Sequence, residues 1–236
     1  MEEYIDTSFD EVLSNIDDLT WLPWIGSNYK NHKRRLLIIG HSQYELGSND
    51  EEYRNNFMSA TEDKDDTRKR IYQYPISRWW RNKIYDNIHR ALLGTNDFDK
   101  ELFWKQVCFY NFIQRIIDYR SHIKEQPKPI EFYNSWKPFI DLIKILNPTD
   151  CIFIGVSASH GFNQAMEDLR INYSPIKELE RIGRTKARIA SLKVNENEIN
   201  LSFIQHTSKM FSWREWNIFL ESNNKEVIEN LKNIVL

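Results

Sequence analysis

The sequence predicts an α/β fold: three layers, α/β/α, around a central, mostly parallel four-stranded sheet. Three observations carry this. Short, largely apolar runs recur at 36–39 (LLII), 107–111 (VCFYN), 151–155 (CIFIG) and 199–205 (INLSFIQ). Each is too short for a core helix, and the first three are apolar without alternation, as expected of strands buried on both faces. Segments with helical spacing alternate with these runs along the chain, the pattern of a parallel sheet flanked by helices.

Taken in order, residues 9–18 (FDEVLSNIDD) read as a short amphipathic helix, followed by an aromatic loop, TWLPWIGSNYK, with Pro23 and Gly26. The basic cluster KNHKRR, 30–35, leads into the first strand, which stops at Gly40. Residues 48–75 form a polar insertion with acidic and basic blocks, an exposed loop or a small helical unit. Over 76–93, Ile76, Trp79, Trp80, Ile84, Ile88, Ala91 and Leu92 fall at helical spacing, and Gly94 is a helix stop. A helix at 98–104 precedes the second strand. The next helix, 135–146, ends at Asn147-Pro148 before the third strand. A helix at 159–170 follows. ARIASLKV and INLSFIQ bracket VNENE as a hairpin or edge pair, the second segment being the fourth core strand. Helices at 212–222 and after Asn224 close the chain.

Composition bounds the function. The chain has 236 residues, 41% hydrophobic and 28% charged, which suits one domain, 1–236, with a sizeable core. Only 7 glycines argue against a Gly-rich nucleotide loop, whereas 8 tryptophans and 14% aromatics provide either a bulky core or stacking surfaces. A net charge of −2 excludes a global basic footprint, so a phosphate-bearing partner must meet a local patch. The acidic opening MEEYIDTSFDEV is unlike a signal or transit peptide, and no apolar run approaches the roughly 18 residues of a membrane span. Cys108 and Cys151 sit in apolar runs and read as reduced core thiols rather than metal ligands. A cytoplasmic monomer without cofactor or metal cluster is expected.

In open parallel sheets, ligands bind beyond the carboxyl ends of the strands. That rule singles out Gly40-His41-Ser42-Gln43-Tyr44, Asn111, Gly155-Val156-Ser157 and His206-Thr207-Ser208. One reading makes GHSQY a nucleophile elbow, with Ser42 attacking and His206 as base, so that the protein is a serine hydrolase. The elbow's last glycine is replaced by Tyr44, where the sharp turn needs a small residue, and no oxyanion segment of the HGGG type is apparent in the sequence.

The other reading is a resemblance. GHSQY after the first strand, Asn111 ending the second, and HTSKM after the fourth resemble, in order and spacing, the motifs of the uracil-DNA glycosylase superfamily. The run SWKPFIDLIKILNPTDCIFIG, 135–155, resembles that family's helix-then-strand segment, and the likeness spans roughly residues 20–222. The resemblance implies a monofunctional DNA N-glycosylase acting on a base flipped from the stack. It implies that His206 stabilises the leaving base, that Asn111 reads the base edge, and that Gly40, Gln43 and Tyr44 shape the base pocket. Met210, or its neighbour Phe211, then props the DNA open. The same residues have structural readings: Asn111 capping a following helix, His206 as a bonded core histidine, Tyr44 as packing, and Met210 and Phe211 as anchors of the final helix.

The sequence departs from the family at two places. The motif's aspartate position is Ser42, which carries no charge, so His41, Ser42 or Glu45 must share its work, or leaving-group stabilisation by His206 must dominate. The long polar insertion supplies Tyr53, Phe57 and Tyr74 as stacking candidates and points to a base larger or more polar than uracil. A modified pyrimidine, such as those of phage DNA, fits, and with it a role in defence. A pocket retained without chemistry, leaving a DNA-binding module, is the alternative. Phosphate contacts are sought in KNHKRR, in RKR at 68–70, in RWWRNK at 78–83 and in RIGRTKAR at 181–188, the last giving Arg184, Lys186 and Arg188. Ser157, Ser159 and Ser208 add hydroxyl donors.

Overall fold

The computed structural model describes residues 1–45, 49–78, 82–118, 125–208 and 210–236, with the side chain of Glu45 outside the description. Three of the four parallel central strands come from the first two-thirds of the chain. After α1 (Asp10–Leu13), the chain adds β1 (Trp24–Ile25), β2 (Leu36–Gly40) and β3 (Gln43–Glu45). The polar insertion folds as α2 (Asp50–Glu62), α3 (Asp66–Ile71) and a π turn, Tyr72–Ile76. Next come α4 (Lys83–Leu93), α5 (Lys100–Gln106), β4 (Cys108–Asn111), β5 (Ile116–Asp118), α6 (Pro129–Leu146), β6 (Asp150–Ile154) and α7 (Phe162–Asp168). Three long strands follow, β7 (Asn172–Ile182), β8 (Thr185–Val194) and β9 (Asn197–Ile204), and then α8 (Trp213–Asn223) and α9 (Lys225–Val235).

Among the described residues, the central sheet is mixed and has seven strands, in the order β1-β4-β2-β6-β9-β8-β7. Its middle, β4-β2-β6-β9, is parallel and contains the four expected strands. The expectation of a four-stranded sheet is therefore corrected. β1 adds antiparallel on one side, and the β7–β8 pair adds antiparallel on the other. β7 escaped the sequence reading because its residues are almost all partly or fully exposed, so burial imposes no apolar signature on this edge. A separate parallel pair joins β3 to β5.

Successive residues of the central strands enter opposite faces. Leu37, Ile39, Cys151 and Phe153 join one apolar cluster, with α1, α6 and α7 over it. Leu36, Ile38, Ile152 and Ile154 join the other, covered by α4, α5, α8 and α9. This period-2 division explains why these strands read as unbroken apolar runs. Cys108 and Cys151 are both buried free thiols.

Local signals explain most boundaries. Gly94 caps α4 in the left-handed region, with φ 78°. Asn147 does the same for α6 at φ 47°, and Pro148 follows. Other boundaries differ from expectation. α4 starts at Lys83 because the Asn82 side chain accepts the Ile84 N–H as N-cap. The expected Trp79 and Trp80 positions lie outside the described residues. α6 starts at Pro129, since proline at the first turn lacks only an N–H that the helix would leave unpaired. α7 is confined to Phe162–Asp168, as Val156–Ser159 forms a separate 3-10 turn.

Candidate functional site

The C-terminal ends of the parallel strands open onto a cavity of about 270 Å³. Its walls hold Gly40, His41, Ser42, Gln43 and Tyr44 from the end of β2 onward, Asn111 from β4, and His206 just after β9. The sequence placed these seven residues at strand ends on one side, and the fold gathers them at one cavity. The opposite wall comes from the insertion and α4: Thr67, Arg70, Tyr74, Asn82, Ile84, Tyr85 and Ile88.

Thr67 organises the amide groups. Its hydroxyl oxygen accepts from Gln43 Nε2 at 2.9 Å and from Asn111 Nδ2 at 3.3 Å. Thr67, Gln43 and Asn111 are all buried. The bonds set the Asn111 amide with its nitrogen toward Thr67 and its oxygen beside Gly40. A methyl group at Gly40 would meet Asn111 Oδ1 and the Phe109 ring edge, both at 2.7 Å, so any larger residue must displace one of those side chains. Asn111 caps no helix: it ends β4 and leads through a turn to β5.

The two histidines meet edge to face, their ring centroids 6.2 Å apart. His41 Nδ1 is 2.8 Å from the Tyr44 hydroxyl, and its ring also packs against Phe132 at 5.4 Å. Burial, reinforced by the neighbouring His206, pushes the His41 imidazole down to about 4. Burial also lowers His206. Both rings are neutral at pH 7, and each offers one N–H donor and one lone pair.

Ser42 is committed elsewhere: its hydroxyl donates to the Arg115 carbonyl oxygen. Among the described residues, no carboxylate lines the cavity. Behind the wall, Arg70 pairs with Asp66 at 2.6 Å. Burial, with Asp63 adding to it, pushes the Asp66 carboxyl up to about 7, and burial lowers the Arg70 guanidinium. Against that, the short charge-assisted contact favours the ionised pair. The carboxyl of Glu45, the other acidic candidate, lies outside the described residues.

The outer candidates do not line this cavity. Met210 is 74% exposed, held at φ 58° on the loop after β9, while Phe211 packs parallel to Trp216 with ring centroids 6.2 Å apart. The loop is tied down by Asn87, whose amide donates to the Thr207 carbonyl at 2.8 Å and the Ser208 carbonyl at 3.4 Å. Ser157 lies in the 3-10 turn after β6. Arg188 is spent internally, bonding Ser159 Oγ at 2.7 Å and Glu178 at 2.9 Å, and Lys186 pairs with the same Glu178 at 2.7 Å. Arg184 is exposed at the β7–β8 turn. That turn lies at the sheet end where β9 finishes, because β8 runs antiparallel to β9. Of the stacking candidates, Tyr74 lines the cavity, whereas Tyr53 and Phe57 pack on each other at 6.0 Å. Within RWWRNK, residues 79–81 lie outside the described residues.

The sequence reading missed Thr67, Asn82 and Tyr85, and took Arg70 for a phosphate contact within RKR rather than for part of the cavity wall. Thr67 and Arg70 sit in a highly charged stretch, DDTRKR, that reads as a solvent-facing run. Asn82 had a usable signal, an N-cap residue before an apolar helical pattern. Among the described residues, no group of three or more His, Cys, Asp or Glu is placed to hold a metal ion. No protein-family model matches the chain, and no curated protein matches it at a significant level.

Proposed function

We propose that the protein is a DNA glycosylase that hydrolyses the N-glycosidic bond of a flipped, modified pyrimidine and leaves an abasic site, with defence against phage as its setting. The observation that carries this reading is the convergence of neutral His206, His41 and Asn111 on one cavity at the parallel strand ends. The base enters the cavity out of the stack. As the C1′–N bond breaks, the sugar gains oxocarbenium character and the base takes the electron pair. A neutral His206 N–H donates to the base oxygen on which that charge develops. Asn111, its orientation set by Thr67, reads the base edge. Water then adds its hydroxide to C1′, and its proton balances the departing base. With no carboxylate on the described wall, leaving-group stabilisation takes the largest share of the work. Met210 is the exposed side chain suited to fill the gap left by the flipped base.

The test is incubation with DNA containing uracil, cytosine or phage-type modified cytosines, followed by assay of abasic sites and mass spectrometry of released base. Release from the modified DNA is expected. Release of uracil alone would remove the modified-base assignment.

One observation favours a second reading, a DNA-binding module of the same fold without turnover. Ser42, at the position where the family resemblance calls for an aspartate, has its hydroxyl engaged by the Arg115 carbonyl. Tight binding of DNA with no base released from any substrate identifies that case. A serine hydrolase is disfavoured by the same bond, which spends the hydroxyl proton on a backbone carbonyl instead of a histidine.

A further inference from the structure

A second cavity, of about 400 Å³, abuts the first and shares Tyr74, Asn82 and Tyr85 with it. Its remaining lining is Pro75, Arg78, Asp86, Arg90, Asn96 and Lys100. Three cationic side chains thus face one carboxylate, in a protein whose net charge is −2. Lys100 stands 3.9 Å from Asp86, which offsets one positive charge. With the Asn96 amide turned to satisfy its neighbours, the Arg90 Nε and Nη2 donate to its oxygen at 2.8 and 3.1 Å. A guanidinium has five N–H donors, so this contact orients Arg90 without exhausting it. Arg78 is held in the left-handed region, φ 53°, unfavourable for a non-glycine residue. The positive field of Lys100 and Arg78 also reaches buried His89 on α4, adding to the effect of burial in lowering its imidazole.

We infer that this second cavity is an anion subsite that takes a phosphate group of a nucleotide whose ring occupies the first cavity. Arginine forks match tetrahedral oxyanions in geometry as well as charge. The two tyrosines at the shared wall lie nearly parallel, at 22° with centroids 6.4 Å apart, and form an aromatic passage between the ring space and the charged space. The identity of the attached group rests on reading the first cavity as a base pocket. The anion subsite itself does not.

The phosphate has two possible sources, a DNA backbone and a free nucleotide. The test is calorimetric titration of the full chain with inorganic pyrophosphate, deoxycytidine 5′-monophosphate and a single-stranded DNA oligonucleotide, for wild type and for R78Q/R90Q. Pyrophosphate is expected to bind wild type and to weaken about tenfold or more in the double variant. The K144Q control, on α6 over the other face of the sheet and already paired with Asp141, should leave pyrophosphate binding unchanged. Pyrophosphate binding that is equal in both proteins, or absent from wild type, overturns the inference. When pyrophosphate weakens, a parallel loss for the oligonucleotide but not the monophosphate assigns a backbone phosphodiester, and a parallel loss for the monophosphate but not the oligonucleotide assigns a free nucleotide. Both results support the subsite. If R78Q/R90Q melts early, Lys100→Gln reads the same cavity from α5. Asn111→Ala separates the two readings. If it leaves nucleotide and oligonucleotide binding unchanged while pyrophosphate still responds to R78Q/R90Q, the base-pocket reading fails and the anion subsite stands.

Discussion

The Thr67 hydroxyl accepts the Asn111 side-chain N–H at 3.3 Å, joining a helix of the polar insertion to the end of a central strand. The same oxygen accepts from Gln43. One hydroxyl therefore sets two amides of the cavity, and a segment that reads as a surface elaboration becomes part of the wall.

Thr67→Val removes that acceptor and keeps the shape. Two buried amide N–H groups then lose their partner, which should cost about 1 to 3 kcal/mol in denaturant unfolding. Base discrimination in the excision assay should relax as Asn111 becomes free to turn. Thr67→Ser should restore both. Stability lost with discrimination intact would mean that Thr67 does not orient Asn111.

Gly40→Ala should be poorly tolerated, because the new methyl meets Asn111 Oδ1 and Phe109 Cζ at 2.7 Å. A loss of about 1 to 3 kcal/mol is expected from overpacking, together with a large fall in kcat/KM. Thermal melting and steady-state kinetics on one preparation measure both.

The pH profile follows from the buried imidazoles. His41 is neutral in the folded protein until pH falls to about 4, and His206 is also lowered. Activity that needs both rings neutral should have its acid limb displaced below the ordinary histidine value, with His41 taking its proton only near pH 4. A kcat/KM profile with its acid limb centred near the ordinary histidine value, about 6.5, would contradict this.

His89 is fully buried among Phe98, Phe103 and Trp104, and neither ring nitrogen is hydrogen-bonded among the described residues. Its imidazole is pushed from 6.5 down to about 3, by burial first and then by Lys100 and Arg78. Between those values the unfolded chain binds the extra proton. His89 therefore withdraws stability as pH falls from 6.5 toward 3, up to on the order of 4 kcal/mol. His89→Leu should flatten this part of the stability–pH curve and raise stability by about 1 kcal/mol or more at pH 7, since two unpaired polar atoms leave the core. Urea unfolding at pH 7 and pH 5 separates the two effects.

Met210 and Phe211 should part company. Met210→Ala, at an exposed position, should leave stability within about 0.5 kcal/mol of wild type and lower excision from duplex more than from single-stranded DNA. Phe211→Ala removes packing on Trp216 and should cost about 2 to 4 kcal/mol. Equal excision by Met210→Ala on both substrates would end its assignment as the wedge.

The strand ends were legible because a parallel strand buried on both faces must be apolar throughout, and Leu36–Ile39 and Cys151–Ile154 meet that demand. Helix stops at Gly94 and Asn147 were legible because backbone conformation there is a local matter. β7 was not, because an exposed edge strand carries no apolar signature. Neither were the starts of α4 and α6, which depend on capping rather than on apolar spacing.

The sequence by itself determined which residues stand at the mouth of the parallel strands: His41, Ser42, Gln43, Tyr44, Asn111 and His206 follow from strand boundaries alone. Only the tertiary structure decided what those residues are free to do. It engages Ser42 with the Arg115 carbonyl, sets Gln43 and Asn111 on Thr67, faces His41 with His206, and closes the cavity with Arg70, Tyr74 and Tyr85. The reason is physical. Periodicity records which face of an element is buried, whereas a hydrogen bond between side chains 44 positions apart, as from Asn111 to Thr67, depends on distances that exist only once the chain has folded.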